Sequence, residues 1–429
     1  MPKPPASTDS NRRDFLQQGA TTAIGAGLAG QLLSTTPVHA AGSDEIRIGL
    51  IGCGGRGTGA AVQALTADPQ ARLVAIGDAF EDHWQRCLRR MNSSSVGEQV
   101  AIPPEHCFAG FDAYKKVLAC DLDAVLLATP PHFRPEHLRA AIDADVHVFA
   151  EKPVAVDAPG VRSVIESCRL AKEKKLNVVS GLCWRYETGM IEMMDQIHDG
   201  RIGDIVAMET TRYGTDVSKR VNRQPEMTDM EWQMRNWYYF TWLSGDFNVE
   251  QFIHELDKMA WAMQDKYPAW CLSTGGRQTR TGDPHGNIYD HIATTYEYDN
   301  GVRLYAQTRQ QNGCQTKRQD IVMGTKGIAD LMEYKITGQN SWDPKARRTQ
   351  MHQLEQDAFL HALRTGKVIN NGDYMAKSTL MGIMARMSAY SGEIVTWEEA
   401  LNSTESLAPP AYDWNQPLSI PPVAMPGLA

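Results

Sequence analysis

The run Gly52-Cys53-Gly54-Gly55-Arg56-Gly57 constrains this chain more than any other segment. It follows a short apolar stretch, Ile46 to Ile51, and opens a segment of helical period. In a G-x-G-x-x-G pattern at a strand-to-helix junction, the first glycine permits the tight turn. The second lets backbone approach a ligand, and the third lets helix and strand pack closely. The helix N-terminus then directs free N–H groups at that ligand, which suits a phosphate. A second apolar run, Leu73-Val74-Ala75-Ile76, ends at Asp78, 21 residues after Gly57. That is the spacing of an acidic residue that accepts hydrogen bonds from a ribose. Its charge repels a 2′-phosphate, so NAD is the expected cofactor and NADP the alternative.

Two more apolar runs have the same character. Ala124 to Ala128 ends at Thr129-Pro130-Pro131, and Val146 to Phe149 ends at Glu151-Lys152-Pro153. Helix-period stretches, Phe111–Ala119 and Arg134–Asp143, lie between them. Strands alternating with helices predict a buried parallel sheet, with its chemistry at the carboxyl ends of the strands. From about Gly181 the pattern changes to alternating strands, Ile205–Tyr213, Ile288–Tyr298 and Val302–Thr308, the last two joined by Asp299-Asn300-Gly301. Asn-Gly between alternating runs is a hairpin signal. The fold class is therefore α/β. A doubly wound Rossmann domain over 41–165 is followed by an α+β domain over 166–407 with a large, mostly antiparallel open sheet. The Pro-rich segment 408–429 is either an extended arm that wraps a neighbour or a disordered end.

Residues 1–40 stand apart. Asn11-Arg12-Arg13-Asp14-Phe15-Leu16 is followed by a weakly apolar, Gly/Ala-rich run and by Val38-His39-Ala40. That run is too short and too glycine-rich to span a bilayer. Together these features predict a twin-arginine signal cleaved after Ala40 and export to the periplasm. The net charge of −8 and the lack of a basic run argue against nucleic acid or anionic lipid as partner and favour a small ligand. Eight scattered cysteines show neither a C-x-x-C pair nor zinc spacing, so no metal site is expected.

Three further groups of residues carry chemistry. A lysine at a strand end, Lys152, can hydrogen-bond a substrate hydroxyl and stabilise a developing alkoxide; the competing reading is a surface lysine before a turn proline. Glu250, His254 and Asp257 fall at i, i+4 and i+7 of a predicted helix and so share one face. A histidine flanked by carboxylates can be held in one tautomer and serve as a general base. Trp184-Arg185-Tyr186 and the aromatic stretch Trp232 to Trp242 offer ring faces for sugar C–H groups, against core packing as the alternative. Arg185 adds a planar fork for hydroxyls or a carboxylate. Tyr289 and His291 are further candidate substrate contacts.

These pieces resemble the glucose–fructose oxidoreductase/inositol dehydrogenase (Gfo/Idh/MocA) family. The matching segments are Gly52 to Gly57, Ala128-Thr129-Pro130-Pro131-His132 with His137 beyond, Glu151-Lys152-Pro153, and Gly245…Glu250…His254…Asp257. The resemblance implies a nucleotide held by Gly52, Gly54, Gly55, Arg56, Gly57, Asp78, Thr129, Pro130, His132, Glu151 and Lys152. It implies Lys152 as catalytic lysine, His254 as acid/base and Glu250 beside it. It also implies hydride exchange with a ring hydroxyl or ketone of a carbohydrate or polyol, and a homodimer or homotetramer built through the open sheet. Asp257 joins Lys152, Trp184, Arg185, Tyr186, Tyr289 and His291 as the expected substrate contacts. Two departures stand out: Glu250 where many members have Asp, and Phe252 in place of a family glycine. An exported enzyme has no free NAD pool, so the nucleotide must be retained and restored in each cycle. Either a second substrate takes the hydride, or oxidation is transient and serves redox-neutral glycoside cleavage or elimination. A non-catalytic sugar-binding protein is the third possibility, at odds with Lys152 and His254 both in place.

Overall fold

The computed structural model describes residues 44–216, 220–343 and 349–428. The export signal expected over 1–40 lies outside them. A six-stranded parallel sheet is built from β1 (Ile46–Ile51), β2 (Ala71–Asp78), β3 (Cys107–Ala109), β4 (Ala124–Leu127), β5 (His147–Ala150) and β6 (Val178–Ser180). The order is β3-β2-β1-β4-β5-β6, so the winding reverses between β1 and β4. All four residues of β4 are fully buried, as strands covered by helices on both faces must be. The helix Gly55–Ala67 lays Ala60, Ala61, Ala64 and Leu65 against this sheet. Small side chains there let it sit low over the end of β1.

The domain boundary expected at residue 165 falls inside the helix Ala158–Glu173, and β6 beyond it pairs in parallel with β5. The first layer therefore runs to Ser180. Its sixth strand has only three residues, too few to leave a periodic signal. A late element also returns to this layer. The helix Met351–Thr365 packs on Gly55–Ala67 and sets the Phe359 ring 6.3 Å from that of Phe149 in β5. Both rings are fully buried, and truncating a buried Phe of this kind typically costs about 3–5 kcal/mol.

The second sheet has eight strands: β7 (Ile205–Gly214), β8 (Trp270–Gly276), β9 (His291–Glu297), β10 (Arg303–Gln310), β11 (Lys317–Gly324), β12 (Gly327–Asp330), β13 (Lys335–Gly338) and β14 (Val395–Thr396). Their order is β13-β12-β11-β7-β10-β9-β8-β14, and only β7 with β10 is parallel. The expected hairpin forms as β9–β10. Along β10 burial alternates, the signature of a sheet with one covered face. The helices Ile253–Ala262 and Gly372–Ser391 cover that face. On the other, Leu272, Tyr305 and Ile328 remain exposed.

An aromatic core joins the layers. Phe80 and Phe133 from the first pack with Trp242, Phe247 and Tyr289 from the second, and with Trp414, Leu418, Ile420 and Val423 of the C-terminal segment. That segment is extended and docks on its own chain.

Candidate active site

The ends of β1, β2 and β4 open into a cleft. It is lined by Gly52, Gly54, Gly55, Arg56, Asp78, Thr129 and Pro130, seven of the residues expected to hold a nucleotide. Gly52 has a φ of 96°, and a Cβ on it would lie 2.5 Å from the backbone of Ala128 and Thr129. A Cβ on Gly57 would overlap the Gly52 carbonyl at 1.8 Å, which fixes its role as packing beneath the loop. Cβ atoms on Gly54 and Gly55 would meet nothing within 4 Å, because both point into the cleft. This cradle, beside the first N–H groups of a helix, fits a pyrophosphate. Asp78 ends β2 as expected. Its Oδ2 accepts from the Cys53 N–H at 2.6 Å and its Oδ1 from the Phe80 N–H at 3.0 Å, which ties the glycine loop to the ribose position.

His132 does not line the cleft. Its Nε2 meets the Tyr412 hydroxyl at 2.7 Å, its ring packs edge-on against Trp242, and burial lowers its pKa to about 4. His137, one turn later, takes the lining place and stacks on Tyr114 at 4.2 Å. A residue missed in the sequence, Arg134, braces this region. Its buried guanidinium donates to the Thr129 carbonyl at 2.6 Å and also to the Pro153 carbonyl. It thereby fastens the loop after β4 to the loop after β5, and burial pulls its pKa down to about 10.

The loop after β5 carries Glu151 and Lys152, with a cis bond between Lys152 and Pro153. Glu151 is buried and lies 2.9 Å from the Arg56 Nε. Lys152 reaches across to the second layer, where its Nζ donates to the Glu250 carbonyl at 2.6 Å and to Glu250 Oε1 at 2.9 Å. Both side chains are only 14% exposed, so this pair is far from an ordinary surface lysine contact.

The predicted continuous helix is broken. Phe247–Glu250 and Ile253–Ala262 are separate segments, parted at Gln251 and Phe252. Glu250 and His254 still face the same region, but Asp257 does not. It is buried against Arg185 at 2.9 Å and Ser378 at 2.8 Å. His254 is enclosed and its Nδ1 has no hydrogen-bond partner among the described residues. Burial, then the positive charges of Lys152 and Arg212, push its pKa well below the usual imidazole value, so the ring is neutral. Behind it, Glu255 takes two bonds of 3.0 Å from Arg212, and Lys258 pairs with Asp320 with neither exposed.

The other expected substrate contacts are structural. Arg185 is clamped by Asp257 and Asp265 and stacked 4.1 Å from the Tyr374 ring, leaving no free fork. Trp184 lies beneath Lys258 and Arg318, and the Tyr186 hydroxyl donates to Asn371 at 2.6 Å. Tyr289 is buried and donates to the Ala424 carbonyl, while His291 sits on the outer side of β9, bonded to Asp290 at 2.7 Å. Of the aromatic stretch, Trp237 lines the cleft with Met234, whereas Trp232, Tyr239, Phe240 and Trp242 are core.

The helix Met351–Thr365 contributes groups that the sequence did not reveal. Cys183, His352 and Glu355 bring ligand-type atoms within 4.8 Å of one another. Burial and the neighbouring Glu151 charge raise the Glu355 pKa well above its usual value. Arg56 and Lys152 also act on this group and work against a cation there. About 170 residues separate Cys183 from His352, so no local spacing announced them.

Residues 46–181 match the family model for the Gfo/Idh/MocA oxidoreductases with an NAD-binding Rossmann fold. Over that stretch the chain is similar to this family. It is an NAD-dependent oxidoreductase. The inositol 2-dehydrogenase of Pseudomonas fluorescens is 24% identical over 319 residues, 70% of this chain and 87% of that protein. The one from Serratia proteamaculans is 24% identical over 360 residues, 82% and 96%. Among solved structures, scyllo-inositol dehydrogenase from Lactobacillus casei with NAD(H) and scyllo-inositol superimposes with a TM-score of 0.63. It is 17% identical, and the match covers 82% of this chain and 99% of that one.

Asp78 both anchors the loop and faces the cleft, so Asp78→Asn weakens NAD binding by about ten- to a hundredfold, the value of one charged hydrogen bond. The same change narrows the gap between NAD and NADP. Titration of the two nucleotides checks this, and an unchanged ratio assigns ribose reading to another residue.

Proposed function

We propose that the protein moves a hydride between a ring hydroxyl or ketone of a sugar or cyclic polyol and a nicotinamide nucleotide that stays bound. The observation that carries this is the Lys152–Glu250 pair at 2.9 Å, with His254 one turn beyond. It brings the strand-end lysine of the nucleotide layer to the segment of the second layer that immediately precedes His254. The inositol dehydrogenases among its relatives support the substrate class.

Bound NAD supplies the hydride acceptor. The glycine loop, the helix N-terminus and Arg56 would hold its phosphates, and Asp78 would hold its ribose. Lys152, oriented by Glu250, donates a hydrogen bond to the substrate oxygen and stabilises negative charge as it develops. Neutral His254 takes the hydroxyl proton as the C–H bond breaks. The enclosing helices keep water from competing. A redox-neutral glycosidase or lyase is the second reading. Glu250 favours it, since this carboxylate beside Lys152 can take a carbon-bound proton once the neighbouring carbon is a ketone.

Two extensions belong to the proposal. Arg12 and Arg13 with the cleavage sequence to Ala40 support export to the periplasm, after the nucleotide has been loaded. Exposed Leu272, Tyr305 and Ile328 on the outer face of the second sheet support a dimer or tetramer formed through that face.

Replacing Arg12 and Arg13 by Lys leaves the precursor in the cytoplasm; mature protein still appearing in the periplasmic fraction refutes the signal. Lys152→Ala and His254→Ala each lower the rate of nucleotide reduction by about 10²–10⁴-fold, while the nucleotide remains bound. Wild-type protein given one sugar stops after a single reduction until an acceptor ketone is added. Continuous cleavage of an aryl glycoside without acceptor, with solvent deuterium entering next to the oxidised carbon, establishes the second reading instead.

A further inference from the structure

Among the described residues, the C-terminal segment after Asn402 has no strand or helix, yet it is fastened along its length. The Leu407 N–H donates to Asp157 at 3.0 Å, and Tyr412 bonds His132 at 2.7 Å. Leu418 donates to Asp229 at 3.2 Å and accepts from Gln233 at 2.7 Å, and the Ala424 carbonyl accepts from Tyr289 at 2.9 Å. Six prolines between Pro409 and Pro426 restrict the free segment and lower the entropy lost on docking.

What it covers is specific. Phe80, Phe111 and Phe133 line the nucleotide cleft around and beyond Asp78. Trp414 packs on two of them, with ring centroids 4.4 Å from Phe111 and 5.2 Å from Phe80. Tyr412 packs on Phe111 at 5.9 Å and Phe133 at 5.7 Å. Trp414 also lines a crevice with Phe80, Gly110, Thr228 and Glu231, where the first layer meets the helix Asp229–Arg235. From that helix Arg235 lies 4.1 Å over the Phe80 ring and 3.2 Å from Asp82. The cleft wall is thus pinned from outside by the tail and by the second layer at once. A ring that turns outward to let a ligand pass must first displace Trp414 or Tyr412.

We infer that residues 408–428 form a strap that holds the dinucleotide in its cleft, with Tyr412 and Trp414 as positioning residues acting through Phe80, Phe111 and Phe133. This rests on the retained-nucleotide reading and supplies its physical means. An enzyme that regenerates its cofactor in place gains from a slow off-rate and loses nothing by a cleft that opens rarely.

The test measures nucleotide content of the purified full chain and its exchange rate against excess fluorescent NAD analogue. Trp414→Ala and a chain ending at Leu407 are measured in the same way, with Trp414→Phe and Tyr412→Phe as mild variants that keep the rings. The full chain emerges loaded and exchanges slowly. Trp414→Ala exchanges about tenfold faster or more, the worth of two ring contacts together, and Trp414→Phe restores most of the retention. Hydride transfer within the loaded variant stays as fast as in the parent. Equal exchange rates in the full chain and in folded Trp414→Ala, or a drop in melting temperature with no change in exchange, overturn the strap alone. A full chain that itself emerges empty and exchanges as fast as the variants overturns the retained-nucleotide reading and the strap with it.

Discussion

Lys152 and Glu250 meet between two layers of the protein, at 2.9 Å and largely out of water, and much of the architecture exists to bring them there. Lysine has no reason to leave solvent unless its ammonium is paired, and a buried pair adds little net stability once desolvation is counted. Its use is positional. On one side the turn at Lys152-Pro153 is braced by Arg134, which grips the loops after β4 and β5 together. On the other, Glu250 ends a short helical segment, and after the break at Gln251 and Phe252 a separate helix begins with His254 in its first turn.

The same junction explains why His254 is neutral. It is enclosed, and the cations around it include Lys152, Arg212, Arg318 and Lys258. Arg212, Arg318 and Lys258 are held in place by Glu255 and Asp320. A second positive charge on the ring would be costly there. The ring is therefore held without charge, beside a lysine whose ammonium donates hydrogen bonds.

Local patterns carried the nucleotide half of this site. The glycine run, Asp78 and the strand ends at Thr129 and Glu151 were legible because each is a short motif at a predictable place in a βαβ unit. The hairpin at Asn300-Gly301 was legible for the same reason. Pairings made at long range were not. Arg185 and Asp257 both looked like substrate contacts, since an exposed fork and a helix-face carboxylate read alike in one dimension; in space they neutralise each other. His132 was read as a cofactor contact, and the tail that claims it comes 280 residues later. Arg212, His352 and Glu355 had no local signal, because tertiary packing alone brings them to the site.

Hydride transfer through the Lys152–His254 junction is the central claim, and the fate of one hydrogen tests it most directly. The nucleotide-loaded protein is mixed anaerobically with inositols and glycosides that carry deuterium on their ring C–H bonds, and the nucleotide is recovered after a single turnover. With the true substrate, the account predicts a reduced nicotinamide that carries the deuterium and forms more slowly than with the protium compound. Reduction without transfer of the label to the nucleotide, or deuterium found only in water, would contradict it.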